Sequence, residues 1–253
     1  MRSYRLRLRD GISEPIDASS LSLQRFSGLT KRQIESTEVG VDGRQLPLAE
    51  LFHVLSVDPG SSLIEVEGNL NNVHGLAAEM ESGEFRIHGD VGDGVGSGMK
   101  GGIVVIDGNA GDTLGGPLPN RKSGMSGGQI TVTGDAGAYT GHRMRRGTVL
   151  VIGKTGKHLA ASMIAGTVLA KASDDALAVN MRRGTLVLTE SPRFIESGGP
   201  VRFSDPVSFE ADYLRLYRQQ EVADFLHPLI GSAMQRVRAD LSVGGQGEVL
   251  FPA

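Results

Sequence analysis

Six histidines are the side chains of this chain best suited to metal binding or acid–base catalysis, and they lie at positions 53, 74, 88, 142, 158 and 227. No two of them have the H-x-H or H-E-x-x-H spacing that brings metal ligands together on one element. His142 and His158 are 16 residues apart, which does not match the repeat of about 19 residues described below, so we do not expect them to stack. The sequence therefore predicts no catalytic residue, no metal site and no cofactor site in this chain.

Two glycine-containing segments resemble phosphate-binding loops. Residues 92–98 contain Gly92, Gly94, Gly96 and Gly98, but a dinucleotide loop needs a helix that begins at the last glycine, and a β-prone segment follows instead. The Gly153-Lys154-Thr155 segment lacks the glycine that a phosphate loop needs at position 148, which is Thr148. Both segments are therefore predicted to be structural turns.

Composition excludes several classes of protein. The 253 residues include no cysteine, so disulfides, iron–sulfur clusters, thiolate zinc sites and cysteine nucleophiles are excluded, and a reducing, cytoplasmic location is expected. The net charge of −3 argues against general nucleic-acid binding. We expect no membrane association, because no run of 18 apolar residues occurs and the amino-terminal residues lack the apolar core of a secretory signal.

Glycine is unusually frequent, with 36 residues, because it belongs to a repeat. Six methionines are each followed three residues later by a glycine, and successive methionines are 19, 26, 19, 19 and 18 residues apart. The long step is explained by an insertion within residues 115–123. The repeated pairs are Met80 and Gly83, Met99 and Gly102, Met125 and Gly128, Met144 and Gly147, Met163 and Gly166, and Met181 and Gly184.

A short β-prone segment follows each repeated glycine, at residues 84–87, 103–106, 129–132, 148–151, 167–170 and 185–188. Strands that pair one repeat apart are parallel, and a period near 19 indicates units that stack on one another. The sequence thus predicts an all-β fold, a right-handed parallel β-helix over residues 61–190, with residues 63–68 as one earlier coil and the methionines stacked inside.

Both flanks are predicted to cap the exposed strand edges of this stack. In the amino-terminal cap, residues 1–60, we expect a strand over residues 4–9 and a short helix over residues 31–35. In the carboxyl-terminal cap, residues 191–253, the spacing of Phe209, Tyr213, Leu216 and Tyr217 predicts a helix.

The glycine run with Gly92, Gly94, Gly96 and Gly98, followed by residues 99–102, resembles the Gly-X-Gly-X-Gly signature of a β-helix shared by two groups of proteins. One is the carboxyl-terminal domain of the glutamate synthase large subunit, and the other is the C subunit of formylmethanofuran dehydrogenase. Residues 43–52 and 240–250 are similar to the pattern of the C subunit, so the resemblance covers nearly the whole chain and favours that family.

The C-subunit family has a bacterial branch that forms a formyltransferase/hydrolase complex in one-carbon metabolism and methylotrophy. The resemblance implies a non-catalytic scaffold in a hetero-oligomer, in which formyltransferase and amidohydrolase-like partners move a formyl group from tetrahydromethanopterin to a methanofuran-like carrier and hydrolyse it to formate. Zinc, or a molybdenum or tungsten pterin, would then belong to partner subunits.

Alternatives to this interpretation remain open from the sequence. They are the C subunit of a molybdenum or tungsten formylmethanofuran dehydrogenase, a separately encoded glutamate synthase β-helix domain and, more remotely, a hexapeptide-type acyltransferase. The last would need an apolar residue at every sixth position, and the Met-to-Gly units do not sustain that pattern.

An arginine cluster recurs at the repeat spacing. Arg143, Arg145 and Arg146 are followed two repeats later by Arg182 and Arg183, so these five residues, the arginine patch, are expected on one side of the stack, about 10 Å apart. We predict that the patch docks an acidic partner surface or the glutamate-rich tail of a methanofuran-like carrier.

Overall fold

The computed structural model describes residues 2–59, 62–192 and 201–253. The predicted boundary between residues 60 and 61 lies outside the described residues, as do residues 193–200 of the predicted carboxyl-terminal cap. The described part of the chain is mostly β, with a large mixed sheet and few helices.

Twelve strands form the large sheet in the order β14-β15-β16-β13-β12-β11-β10-β9-β8-β6-β1-β5. These strands are β1 (Arg2–Leu8), β5 (Phe52–Pro59), β6 (Leu63–Glu67), β8 (Glu84–His88), β9 (Ile103–Asp107), β10 (Ser126–Val132), β11 (Arg146–Thr155), β12 (Thr167–Ser173), β13 (Thr185–Leu188), β14 (Val207–Glu210), β15 (Ala233–Ala239) and β16 (Gly247–Pro252). A second sheet joins β2 (Ile16–Asp17), β3 (Glu38–Val41), β4 (Arg44–Pro47) and β7 (Val73–His74) in the order β4-β3-β2-β7.

The helices are short and lie in the two flanks. They are α1 (Leu23–Phe26), α2 (Lys31–Glu35), α3 (Leu48–Leu51) and α4 (Gln220–Leu226), with 3₁₀ helices at Ala211–Leu216, His227–Leu229 and Leu241–Val243. None of the helices in the described segments is long and apolar enough to cross a membrane.

Strands of successive repeats pair in parallel, as the repeat predicts. Val149 of β11 lies opposite Ile130 of β10 on one side and opposite Val168 of β12 on the other. The offset between these partners equals the spacing of the methionines, so the strand and pairing predictions for the six repeats are confirmed. Isolated parallel bridges form a second ladder that links Leu70, Val91, Ala110, Ala136 and Thr155.

Alternate strand residues point to one shared interior. Val149 and Val151 are fully buried, as are the residues at the same positions in β8, β9, β10, β12 and β13. The six repeated methionines are also fully buried. Together these side chains form the principal hydrophobic core of the chain.

From Gly102 onward, each repeated glycine lies where the methionine side chain of the preceding repeat ends. A Cβ atom at Gly147 would lie 2.8 Å from Met125 Cε and 2.6 Å from the carbonyl oxygen of Gly128, and Gly147 has a φ of +98°. The methionine side chain thus fills the space that a larger residue would need. The recurrence of methionine and glycine in every repeat reflects this contact between successive repeats.

In five of the six repeats, the segment directly before the methionine alternates in backbone handedness. Tyr139, Gly141 and Arg143 all have positive φ. The amides of Tyr139 and Arg143 donate to the next repeat, at Lys157 and Ala161, whereas the amide of Gly141 donates back to Leu114. Because these inter-repeat hydrogen bonds need the left-handed conformation, non-glycine residues adopt it here in spite of its cost, about 1–2 kcal/mol per residue.

At the amino end, the predicted strand and helix are present. Strand β1 pairs in parallel with β6 and in antiparallel with β5. Helix α2 begins with a capping box, in which the Thr30 side chain accepts from the Gln33 amide and the Gln33 side chain accepts from the Thr30 amide.

At the carboxyl end, the predicted cap contains an α-helix, but this helix begins after the residues whose spacing predicts it. Phe209 lies in β14, opposite Met234 of β15, and a 3₁₀ helix follows. The α-helix of this region, α4, lies at residues 220–226. Phe209 and Tyr217 pack in a second core on the outward side chains of the large sheet, such as Leu150 and Leu169. Tyr213 and Leu216 are exposed.

We expect Gly147→Ala to lower the free energy of unfolding by about 2–5 kcal/mol. The alanine would be strained in the left-handed conformation, and its Cβ would also collide with Met125 and Gly128. Gly231 is the matched control, since its φ is +80° but no atom would lie within 4 Å of a Cβ at that position. Gly231→Ala should cost only the conformational strain, about 1–2 kcal/mol. Equal losses in urea denaturation would contradict the proposed contact.

Candidate docking site

Two of the histidines, His142 and His158, lie against one tyrosine ring, a contact that the spacing between histidines does not predict. The described residues contain no group of three or more histidine, aspartate or glutamate side chains placed to hold a metal ion. His158 stacks on Tyr139 with ring centroids 4.6 Å apart, and His142 meets the edge of the same ring at 5.4 Å. Burial lowers the pKa of His142, whose Nδ1 lies 2.9 Å from the carbonyl oxygen of Ala161.

The sequence contains a signal for this aromatic cluster. Tyr139 and His158 are 19 residues apart, one full repeat, and a comparison of histidine with histidine alone overlooks that pair. Any two rings at the repeat spacing are candidates for stacking in this fold, because equivalent positions of successive repeats lie next to each other.

The glycine amides of the run are already used in backbone hydrogen bonds. The amides of Gly94 and Gly98 donate to the next repeat, at Asp112 and Gly116, and the amide of Gly96 donates back to Leu76. These hydrogen bonds use the donors that a phosphate loop would direct at its ligand.

Aspartate and asparagine side chains form a ladder that the sequence-based predictions did not include. Asn109 Oδ1 accepts from the amide of Asp135, and Asp135 Oδ1 accepts in turn from the amide of Lys154, at 2.8 and 2.7 Å. Glycine is needed at position 153 because a Cβ there would collide with the Asp135 carboxylate. The Gly153-Lys154 pair is therefore part of the ladder. The signal is an Asp or Asn at the same spacing as the methionines.

The structure brings the arginine patch together around two adjoining pockets. Arg145, Arg146, Arg182 and Arg183 line one pocket, and Arg143 lines the other with Arg182. All five patch residues are exposed. Each pocket is a shallow depression in the surface, so the patch is accessible to a large partner.

The position directly after each repeated methionine is a corner of the repeat, and the backbone hydrogen bonds at this corner fix the spacing of these arginines. The amides of Arg145 and Arg182, each directly after a methionine, donate to Met125 and Met163 of the preceding repeats. The intervening position is Ile164, whose amide donates to Met144. Arg145 and Arg182 therefore lie two repeats apart on one edge, about 10 Å at the usual strand spacing.

A further cation reaches the patch from the insertion. Met125 donates its amide to the carbonyl oxygen of Gly115 at 2.8 Å, so the chain leaves the repeat and returns to it at nearly the same place. The intervening loop carries Lys122 into the pocket that Arg143 and Arg182 line. The sequence locates this loop but does not indicate its contribution to the patch.

The opposite end of the sheet carries an ionic network that is already paired. Arg5 donates to Glu65 Oε2 at 2.9 and 3.1 Å, and His88 lies 3.4 Å from Glu65 and 3.1 Å from Asp107. Burial opposes ionisation of Glu65, but the hydrogen bonds from Arg5 and His88 outweigh it and hold the pKa of Glu65 below its ordinary value.

These features define a class, a mostly β repeat protein with an exposed arginine surface. No protein-family model matches the chain. The chain is 31% identical over 78 residues to the C subunit of the molybdenum-containing formylmethanofuran dehydrogenase 1 of Methanothermobacter thermautotrophicus. It is 31% identical over 87 residues to the C subunit of the formyltransferase/hydrolase complex Fhc of Methylorubrum extorquens. The aligned segments span 31% and 34% of this chain, and only 20% and 32% of those relatives.

A solved structure matches over a greater length. A chain in the crystal structure of the formyltransferase/hydrolase complex FhcABCD from Methylorubrum extorquens, determined with methylofuran, is 29% identical with a TM-score of 0.76. The match covers 98% of this chain and 99% of that one. The predicted resemblance to the C subunit is confirmed, because the chain's homologues carry that name.

We expect Glu65→Gln to destabilise the protein by about 1–3 kcal/mol at neutral pH, because a charged hydrogen-bond acceptor is lost. The lowered pKa of Glu65 stabilises the fold above its ordinary value of 4.5, and that stabilisation is lost as pH falls through the folded value. The difference between wild type and variant should therefore close in acid. Urea titrations at several pH values test this, with exposed Glu50→Gln as the control. A constant difference would contradict the assignment.

Proposed function

We propose that this chain is the scaffold subunit of a formyltransferase/hydrolase complex. The observation that carries the proposal is the match to a chain of the FhcABCD crystal structure over 98% of this chain and 99% of that one. In this proposal, formyltransferase and amidohydrolase-like partners transfer the formyl group from tetrahydromethanopterin to a methanofuran-like carrier and hydrolyse it to formate.

We also propose that the repeats wind as a right-handed parallel β-helix over residues 61–190, with residues 1–60 and 191–253 as caps. Two parallel ladders with the same period support this architecture, one through the strands and one through the bridges from Leu70 to Thr155. Right-handed winding follows the general preference of parallel crossovers. Such a stack is rigid, so it can present a surface with little ordering cost.

A non-catalytic role fits the chemistry of the described residues. Several polar side chains of the repeats hold one repeat to the next, as Asn109 and Asp135 do in the ladder. The arginine patch is instead open and basic, which suits docking of an acidic partner surface. In this proposal zinc, or a molybdenum or tungsten pterin, belongs to the partners.

The second candidate is the C subunit of a molybdenum formylmethanofuran dehydrogenase. It is supported by the 31% identity over 78 residues to that protein of Methanothermobacter thermautotrophicus. The two assemblies share this kind of subunit and differ in the metal-bearing partner.

Affinity purification of the tagged full chain from its native host, followed by mass spectrometry, tests the proposal. Formyltransferase and amidohydrolase-like subunits should co-purify without a pterin–metal protein. A molybdenum or tungsten subunit would favour the dehydrogenase. Glutamate synthase subunits, or a lone chain with acyltransferase activity, would overturn the proposal.

We expect simultaneous replacement of Arg145, Arg146, Arg182 and Arg183 by Glu to weaken subunit association or carrier use, because reversed charges repel an acidic surface. The replaced side chains are exposed, so the melting temperature should change little. Size-exclusion chromatography and turnover of the purified complex measure the effect. Unchanged assembly and turnover would show that the patch does not dock a partner.

A further inference from the structure

The arginine patch has an apolar centre. Ile164 lines both pockets of the patch, and Arg182 is the other side chain common to the two. Ile164 occupies the corner position between Arg145 and Arg182 in successive repeats, and 36% of its surface is exposed. Val243, which is 40% exposed, adds apolar surface to the pocket beside it.

The cations around this centre have no acidic partner among the described residues. None of the five patch arginines, nor Lys122, forms a salt bridge within residues 2–59, 62–192 and 201–253. No carboxylate is among the described residues that line either pocket. The patch therefore concentrates positive charge on a chain whose net charge is −3.

The same corner supplies an internal comparison. The residues directly after the first two repeated methionines are Glu81 and Lys100, and these side chains pair with each other at 2.8 Å. Corner residues in adjacent repeats can thus neutralise one another within this fold. Arg145, Ile164 and Arg182 hold the equivalent positions farther along. The two arginines have no such partner in the described part of the chain, so the stack itself does not require their unpaired charges.

We propose that this surface, Ile164 with the arginine patch and Lys122, binds an acidic protein segment that places an apolar side chain on Ile164 and carboxylates on the flanking guanidiniums. Guanidinium groups bind carboxylates through two parallel hydrogen bonds. An apolar anchor at the centre of a polar ring is the usual arrangement of a protein–protein hot spot. The inference rests on the proposed function only in assigning the chain a docking role.

A nucleic acid fits this surface less well than a protein. Neither pocket has an aromatic side chain among its described lining residues on which a base could stack. The isoleucine would also oppose phosphates with an apolar group. An acidic protein segment satisfies both the central apolar contact and the surrounding charges.

A photo-crosslinking experiment in the native host tests the proposal. The photoreactive residue p-benzoylphenylalanine is introduced in the full chain at position 164 or, as the control, at position 152, where Ile152 is similarly exposed at 41%. After irradiation, the crosslinked peptide is sequenced by mass spectrometry. We expect a strong adduct at position 164 alone, with a peptide in which an apolar residue is flanked by at least two carboxylates.

Charge reversal provides a second measurement. Arg182→Glu should lower the yield of the adduct at position 164 at least about tenfold, because it places like charges together. The control Arg44→Glu changes an exposed arginine of β4 and should leave the yield unchanged. Melting temperatures of all variants show whether each one is folded.

Several outcomes would overturn the inference. They are equal crosslinking at positions 164 and 152, an adduct with nucleic acid, an adduct with a peptide that lacks carboxylates, or a yield that Arg182→Glu does not change. An acidic peptide from a protein other than a formyltransferase or hydrolase subunit would support this surface while contradicting the proposed complex. The two proposals can therefore fail separately.

Discussion

The fold depends on hydrogen bonds between the backbones of successive repeats. They hold neighbouring strands at the usual separation of about 4.8 Å, which leaves room for only one side chain where two repeats approach closely. Met125 occupies such a place above Gly147, and the Asp135 carboxylate occupies another beside Gly153. The high glycine content thus reflects close fit between repeats, and most of these glycines are not flexible linkers.

Sequence-based prediction places features most accurately in this chain where they are repeated. The strands, their parallel pairing and their register are predictable because six copies of one pattern reinforce each other. The carboxyl-terminal region has no such copies, and the spacing of Phe209 and Tyr217 is compatible both with a helix and with packing on the outward face of a sheet. Tertiary contacts with Leu150 and Leu169 decide the outcome.

The candidate docking surface is predictable in part for the same reason. Arg145 and Arg182 lie near the repeat spacing, so their common edge follows from the sequence. The contribution of Lys122 does not, because it depends on how the inserted loop folds back. The absence of a nearby carboxylate among the described residues also depends on every segment that could have reached the patch, and only the three-dimensional arrangement establishes it.

In this stack the backbone hydrogen bonds at the corners hold the fold together, whereas the corner side chains differ from repeat to repeat. Corner residues after the repeated methionines are Glu81, Lys100, Ser126, Arg145, Ile164 and Arg182. Their amides make equivalent hydrogen bonds to the preceding repeat from Lys100 onward, whatever the side chain. Since the backbone satisfies the fold, the side chains at these corners are free to serve another purpose. The patch arginines have no acidic partner among the described residues, so an acidic partner would neutralise a concentration of positive charge that the fold leaves uncompensated.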